Sequence, residues 1–285
     1  MVREGGAILH TVEAALGERN FALDQHAHFD NAEEDELQWK SKGPPNVPRK
    51  AFIDADVDFV RPDWVSETLH QLQHYHVVQM FSEAIDLDPK YEPRGLGEYN
   101  NARQKSHAYC HVHGLLNDQV VSDAYTTPEK RGAKVAGDVY RHPGFAWAWR
   151  REALDSVGGL MEHVLLGSAD WHMAWALVGR VEETLKAPVS KSYNELCHQW
   201  QELAERYIRR NIGYVSGTVV HHWHGKKIDR GYATRWKIMA DHNYDPRQDL
   251  MRDWQGLIRL KDTKMGLRDD CRKYFRRRNE DSIDL

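Results

Sequence analysis

Two aspartates behind a short apolar run carry the clearest chemical signal in the chain. Asp54 and Asp56 directly follow Ala51-Phe52-Ile53, a run typical of a buried strand. Residues two apart on a strand point to the same face, so these two carboxylates could share one divalent cation. Hard oxygen ligands at a strand end favour Mg²⁺ or Mn²⁺ that holds a diphosphate. The alternative is that both aspartates cap the following helix or lie in solvent.

A second spaced pair consists of His222 and His224, at the end of a β-rich stretch that begins at Tyr214. Imidazole at a strand end suits a third ligand for a cation already held by carboxylates, and we favour His224 over His222 for this role. Neighbouring His221 is expected to pack on the other face. Three cationic residues follow and could pair with phosphate oxygens: Lys226, Lys227 and Arg230. The alternative is a solvated surface loop.

A third candidate is Asp170, which ends the segment Gly167-Ser168-Ala169-Asp170 and precedes a helical pattern that continues to Leu185. At the cap or first turn of a helix a carboxylate is favoured electrostatically, so plain capping is one interpretation. The other is a general base that removes the proton from an acceptor hydroxyl. Sequence spacing does not separate the two.

Two tryptophans, Trp147 and Trp149, alternate with alanines on a predicted strand from Gly144 to Trp149 and would share one face. Packing in the core is the ordinary role for such a pair. An aromatic platform for a sugar or a base is the alternative.

The elements that must position these residues alternate between strands and helices. Helical spacing over 62–75 and a second apolar strand over Val77–Phe81 predict, with the aspartate strand, one strand-helix-strand unit of parallel strands. Residues 86–103 are predicted to form a polar surface loop. Further helices are predicted over 150–157, 169–185 and 192–209, and the region 230–278 is expected to be mostly helical.

Composition narrows the class of protein. The chain has 285 residues, 41% of them hydrophobic, which is enough for one sizeable α/β domain or two small ones. A formal net charge of -4 gives no global attraction to nucleic acid or to an anionic membrane. Three scattered cysteines indicate neither a disulfide framework nor a zinc site. Because no apolar run reaches about 20 residues and no signal pattern is seen, we expect a cytoplasmic protein without a membrane span.

Considered together, the motifs resemble those of the GT-A glycosyltransferases of the family 2 type, especially compact phage and bacterial members. The resemblance rests on four blocks in the family's order: 53–56 with 61–64, 144–154 with 157–160, 167–170, and 221–225. It implies an α/β, Rossmann-like fold with a mixed, mostly parallel sheet flanked by helices. The implied organisation is a catalytic domain over 1–240 with a shortened N-terminal half, and a charged helical extension over 241–285.

The resemblance also implies roles for individual residues. Asp54 and Asp56 would hold Mn²⁺ or Mg²⁺ together with the diphosphate of a nucleotide sugar, with a UDP-sugar as the expected donor. His224, or else His222, would be a late metal ligand, and Asp170 would be the base. Lys226 or Lys227 would stabilise the departing diphosphate. The substrate side would be lined by Gly167, Trp147 and Trp149.

The N-terminal half departs from the family pattern. The segment Leu37-Gln38-Trp39-Lys40 resembles the start of the helix expected before the aspartate strand, so Trp39 and Lys40 are expected to contact the donor. Gly43-Pro44-Pro45 interrupts that helix, because proline cannot continue it. The nucleotide pocket is therefore expected to be reduced, or to be completed by a partner subunit in an oligomer.

The implied reaction is transfer of a sugar to a hydroxyl acceptor with inversion at the anomeric carbon. A glycan, a protein or, in a phage, a hydroxymethylated pyrimidine in DNA would be an allowed acceptor. One alternative is a degenerate GT-A domain that binds a nucleotide or a partner without catalysis. Another is a metal-dependent phosphohydrolase, which would need more carboxylate or histidine ligands near the aspartates than the sequence places there.

Overall fold

Two groups of elements make up the structure, a computed structural model that describes residues 26–30, 49–93, 103–116, 141–185, 189–226, 229–232, 234–280 and 283. The first unit comprises Met1–Leu116, Val139–Ser156 and Asn211–Trp223. The second comprises Asn117–Asp138, Val157–Arg210 and His224–Leu285. The predicted division at residue 240 falls inside the second unit.

The first unit contains two five-stranded sheets. In spatial order, the first sheet consists of β1 (His26–Asp30), β2 (Arg49–Asp54), β8 (Ala146–Arg150), β4 (Val77–Gln79) and β9 (Ile212–Tyr214). The second sheet consists of β3 (Val57–Phe59), β10 (Thr218–His221), β5 (Glu83–Asp86), β6 (Arg103–Ser106) and β7 (Arg141–His142). Three helices accompany them: α1 (Trp64–Gln71), α2 (His107–Val112) and α3 (Arg151–Ser156).

The aspartate strand and the strand after α1 are parallel to each other, as predicted, but they are not neighbours. β8 lies between β2 and β4 and pairs antiparallel with both. Of the described strand pairs, only β4 with β9, β10 with β5, and β6 with β7 are parallel. The α/β class is thus confirmed, whereas the expected mostly parallel sheet is wrong. The reason is that a strand from much later in the sequence enters the sheet between the two predicted partners.

The central position of β8 explains its composition. Strands covered on both faces become apolar throughout, and Ala146 to Trp149 are all buried. Trp147 is 9% exposed and Trp149 1% exposed, and the Trp147 indole donates to the carbonyl of Pro143 at 2.7 Å. The structure therefore places both tryptophans in the core, where neither ring offers a platform to a ligand.

The second unit is mainly helical, with one hairpin. Its elements are α4 (Ala169–Leu177), α5 (Lys191–Tyr207), α6 (Arg235–Asp241), α7 (Pro246–Asp249), β11 (Leu250–Arg252), β12 (Ile258–Leu260) and α8 (Met265–Arg277). α4 is shorter than predicted because Gly179 takes the left-handed conformation, with φ at 78°, just after its end. The region 230–278 was expected to be mostly helical, and α6, α7 and α8 lie there; the β11–β12 hairpin within it was not predicted.

The core of the second unit contains a buried histidine with a defined hydrogen-bond chain. His172 Nδ1 lies 2.6 Å from Thr184 Oγ1, and its Nε2 lies 3.0 Å from the Tyr193 hydroxyl. Because the Thr184 hydroxyl donates to the carbonyl of Val181, Nδ1 must be the donating nitrogen and Nε2 the acceptor. Burial, with smaller effects of nearby cationic groups, lowers the pKa of His172 to about 3. None of the helices in the described ranges has the length and apolar character required to cross a membrane.

Candidate metal site

The two predicted metal-binding aspartates occupy different local structures. Asp54 is the last residue of β2, and its backbone N–H donates to the carbonyl of Phe145 at 2.8 Å. Asp56 lies in the tight turn that leads into β3. Because the strand ends before Asp56, the alternation expected to put both carboxylates on one face does not apply.

The turn brings Asp56 to the end of β10. The backbone N–H of His222 donates to the carbonyl of Asp56 at 2.8 Å, and His221 pairs with Val57 across the antiparallel β3–β10 ladder. The imidazole Nε2 of His221 then lies 3.4 Å from Asp56 Oδ2. Asp56 and His221 each offer one ligand atom of the kind that binds divalent metals.

A second carboxylate holds the other side of the same imidazole. β5 and β10 are parallel neighbours, and their last residues, Asp86 and His221, are register partners. Asp86 Oδ1 lies 2.9 Å from His221 Nδ1, and Asp86 Oδ2 accepts a 2.8 Å hydrogen bond from the buried Gln104. Asp86 and His221 are themselves buried. A carboxylate on Nδ1 fixes the tautomer and orients Nε2, which is the arrangement seen behind many metal-binding histidines.

The two carboxylates determine the charge on this histidine. Burial alone lowers the pKa of His221, but the hydrogen bonds and charges of Asp56 and Asp86 outweigh it and raise the pKa above the usual 6.5. The ring of Phe145 covers the imidazole, with 4.6 Å between ring centroids. In this arrangement His221 can carry either a proton or a cation on Nε2, facing Asp56.

The predicted ligand His222 has a different partner. Its Nε2 lies 2.7 Å from Asp58 Oδ2, and the ring of Tyr91 meets it edge-on. His221 is the last residue of β10 and His222 follows the strand, and of the two imidazoles His221 is the one beside Asp56. The structure selects His221, which the sequence had assigned to packing. His221 and Asp86 are the residues that sequence reasoning missed, and the available signal was that Asp86 directly follows the apolar pair Ala84-Ile85.

The remaining residues predicted near this histidine run belong to the second unit. His224 Nε2 contacts the buried guanidinium of Arg230, and its Nδ1 lies 3.5 Å from Glu280 Oε1. Arg230 also donates to the Tyr232 hydroxyl at 3.0 Å, and within the described ranges it has no carboxylate partner. Lys226 is half-buried. Three predicted donor-binding residues lie outside the described residues: Lys227, Trp39 and Lys40.

Asp170 lies in the first turn of α4, in the second unit. The N-cap is Ser168, whose φ of 79° is left-handed, and the Ser168 hydroxyl accepts from the Arg235 guanidinium. Gly167 precedes it, also left-handed, and a Cβ there would come within 2.8 Å of Arg235 Nη1. Asp170 is half-buried, and its carboxylate has no hydrogen bond or ion pair in the part of the chain that the structure describes. Asp170 is therefore not the capping residue, and its carboxylate is available for chemistry.

Comparisons with known proteins add no identification. A scan of protein-family models, a search of curated proteins and a search of solved structures each found no match.

Proposed function

We propose that the chain is a metal-dependent glycosyltransferase that moves a sugar from a nucleoside diphosphate to a hydroxyl acceptor. The observation that carries the proposal is the His221 imidazole held between Asp56 and Asp86, at the end of neighbouring strands. A ring whose Nδ1 is fixed by one carboxylate and whose Nε2 faces another is prepared to bind a cation. The motif resemblance supports a nucleotide sugar as the ligand of that cation.

The candidate metal ligands suit Mn²⁺ or Mg²⁺. Asp56 and Asp54 offer carboxylate oxygens, and His221 offers a nitrogen, which favours Mn²⁺ over Mg²⁺. We retain His224 as a further ligand, since it follows His221 by only three residues in the chain. When bound, the cation would neutralise charge on the departing diphosphate.

Cationic side chains would share that task. Arg230 is a buried guanidinium without a carboxylate partner among the described residues, and a buried charge of this kind is costly unless an anion meets it. Arg guanidinium groups bind phosphate oxygens in a bidentate manner. Arg230, Lys226 and Lys227 would therefore contact the diphosphate.

Asp170 would supply the base. In an inverting transfer the acceptor oxygen bonds to the anomeric carbon, the bond from that carbon to the diphosphate oxygen breaks, and the acceptor proton passes to Asp170. A half-buried carboxylate without a hydrogen-bond donor is able to accept it. The acceptor, whether glycan, protein or hydroxymethylated DNA, remains a prediction of the resemblance.

The test is calorimetric titration of UDP-glucose, with UDP-galactose and GDP-mannose as comparators, in Mn²⁺ and in EDTA. Binding is expected only with Mn²⁺, and it should be lost in Asp56→Ala and in His221→Ala but kept in the control Asp155→Asn, an exposed carboxylate that pairs with Arg151. Asp170→Asn should bind the donor normally and release UDP about 10² to 10⁴ times more slowly. Absence of binding under every condition would instead favour the degenerate, non-catalytic domain.

A metal-dependent phosphohydrolase is the second candidate, and one observation favours it. The sequence alone placed too few ligands near Asp56, whereas the structure adds His221 as a candidate ligand, with Asp86 behind it as the carboxylate that orients the ring. The two functions differ in product. A phosphohydrolase acting on UDP-glucose would release UMP and a sugar phosphate without any acceptor, whereas a transferase releases UDP.

A further inference from the structure

The β11–β12 hairpin of the second unit exposes large apolar side chains at a tightly held turn. Trp254 is 91% exposed and Leu257 is 61% exposed. Asp253 Oδ1 accepts hydrogen bonds from the backbone N–H groups of Gln255 and Leu257, at 2.9 and 3.0 Å. The left-handed Gly256, with φ at 81°, closes the turn. The two apolar side chains are therefore presented by a preorganised backbone.

The base of the hairpin is also fixed. The Lys261 N–H donates to the carbonyl of Asp249 at 2.8 Å, and the Lys264 ammonium lies 3.3 Å from the Asp249 carboxylate. Arg252 donates to the carbonyl of Gly256 at 2.7 Å and also contacts Glu162. The hairpin backbone is thus held in place, so binding would require little further ordering of the backbone.

Apolar exposure is not confined to one face of the hairpin. Met251 pairs with Arg259 and Ile258 pairs with Arg252, so Met251 and Ile258 point to opposite faces. Both are partly exposed, and Met265, just after the hairpin, is 63% exposed. A protein partner covers one face of a strand pair, whereas a lipid layer surrounds an inserted tip. Exposed apolar side chains on both faces and at the tip favour the lipid layer.

The charge around the hairpin has a small positive excess. Residues 247–268 carry six cationic side chains and three anionic ones. Most of these charges are paired with each other or with two nearby glutamates: Arg247 with Glu195, Arg252 with Glu162, Arg259 and Arg268 with Asp262, and Lys264 with Asp249. Lys261 has no ion pair among the described residues, so the excess of positive charge is small and lies beside the hairpin. Cationic residues beside an apolar tip meet anionic headgroups when the tip inserts, and tryptophan is favoured at that boundary.

From these observations we infer that the β11–β12 hairpin docks the protein on an anionic lipid surface by inserting Trp254 and Leu257. This inference goes beyond the proposed transferase activity and requires only the second unit. It is a peripheral attachment, driven by burial of apolar surface at the tip and assisted by the flanking Arg259 and Lys261.

Co-sedimentation of the full chain with phosphatidylcholine vesicles, with and without phosphatidylglycerol, tests the inference. Binding is expected to the anionic vesicles and to weaken in high salt. Trp254→Ser and Leu257→Ser should each weaken binding about tenfold or more, because each removes one apolar side chain that would be buried in the lipid. Tyr207→Ser, which changes an exposed aromatic residue at the end of α5 in the same unit, should leave binding unchanged.

Several outcomes would overturn the inference. Failure to bind either vesicle would do so, as would binding equally strong in Trp254→Ser. A molar mass in solution that falls in Trp254→Ser would assign the hairpin to contacts between copies of the chain. Weaker binding of duplex DNA in that variant, with vesicle binding unchanged, would assign it to nucleic acid.

Discussion

Replacement of Asp86 is the sharpest test of how the candidate metal site is built. Asp86 is not placed as a metal ligand, since its oxygens already accept from His221 Nδ1 at 2.9 Å and from Gln104 at 2.8 Å. Its role would be to orient the imidazole so that Nε2 faces the cation. We therefore expect Asp86→Ala and Asp86→Asn to weaken Mn²⁺ binding by different amounts.

The size of the effect follows from what each variant retains. Loss of a partner behind a metal-binding histidine costs about 10- to 100-fold in affinity, which is about 1.4 to 2.7 kcal/mol. Asparagine keeps an oxygen that can accept from Nδ1, so Asp86→Asn should lie near the tenfold end. Alanine leaves the ring free to rotate, so Asp86→Ala should lie near the hundredfold end.

The assay is titration of Mn²⁺ into the full chain, with free Mn²⁺ followed by electron paramagnetic resonance, and with Asp155→Asn as the control. Urea unfolding in EDTA should show that each variant folds. Equal affinity in wild type and both variants would refute the role given to Asp86. A loss far beyond a hundredfold in a folded variant would instead make Asp86 a direct ligand.

Two further predictions concern stability. Because burial lowers the pKa of His172 to about 3, the unfolded chain binds a proton below pH 6.5 that the folded chain does not. The contribution of the neutral His172 side chain to the free energy of unfolding is therefore complete above about pH 6.5. It is lost as the pH falls towards 3, at about 1.4 kcal/mol per pH unit. Urea unfolding at pH 7.5 and pH 5.5 should show this loss in wild type and a smaller one in His172→Gln; an equal loss in both would contradict it. Separately, a Cβ on Gly213 would lie 2.3 Å from Tyr75 Cδ2, so Gly213→Ala should cost about 1–3 kcal/mol, with part regained in the double variant with Tyr75→Ala. Additive urea-unfolding effects in that cycle would show that the clash is not the cause.

The sequence predicted the strands and helices better than it predicted which strands pair with each other. The apolar run before Asp54 and the helical spacing after it gave β2 and α1, because burial and periodicity are local properties. That β8 would lie between β2 and β4 is not a local property, since its residues are about 90 positions further along the chain. For Trp147 and Trp149 the sequence left a core role and a ligand platform open, and the central position of β8 decides for the core.

The alternation of side chains along a strand explains why His221 was missed. Alternation along a strand shows that His221 and His222 point to opposite faces, but not which of them faces Asp56. That choice depends on the register of β10 against β3 and β5, which no spacing within the run His221 to His224 contains. Asp86 was missed for the same reason, because it meets His221 only through the parallel pairing of two strands.

The proposed cation would change the charge balance at the ends of β5 and β10. With His221 protonated, Asp56 and Asp86 flank one positive charge, so the group carries a net negative charge beside a buried ring. If a divalent cation replaces the proton on Nε2, the same three side chains become neutral overall. In the proposed metal site each carboxylate therefore has its own role, which is the reason to test Asp56 and Asp86 separately.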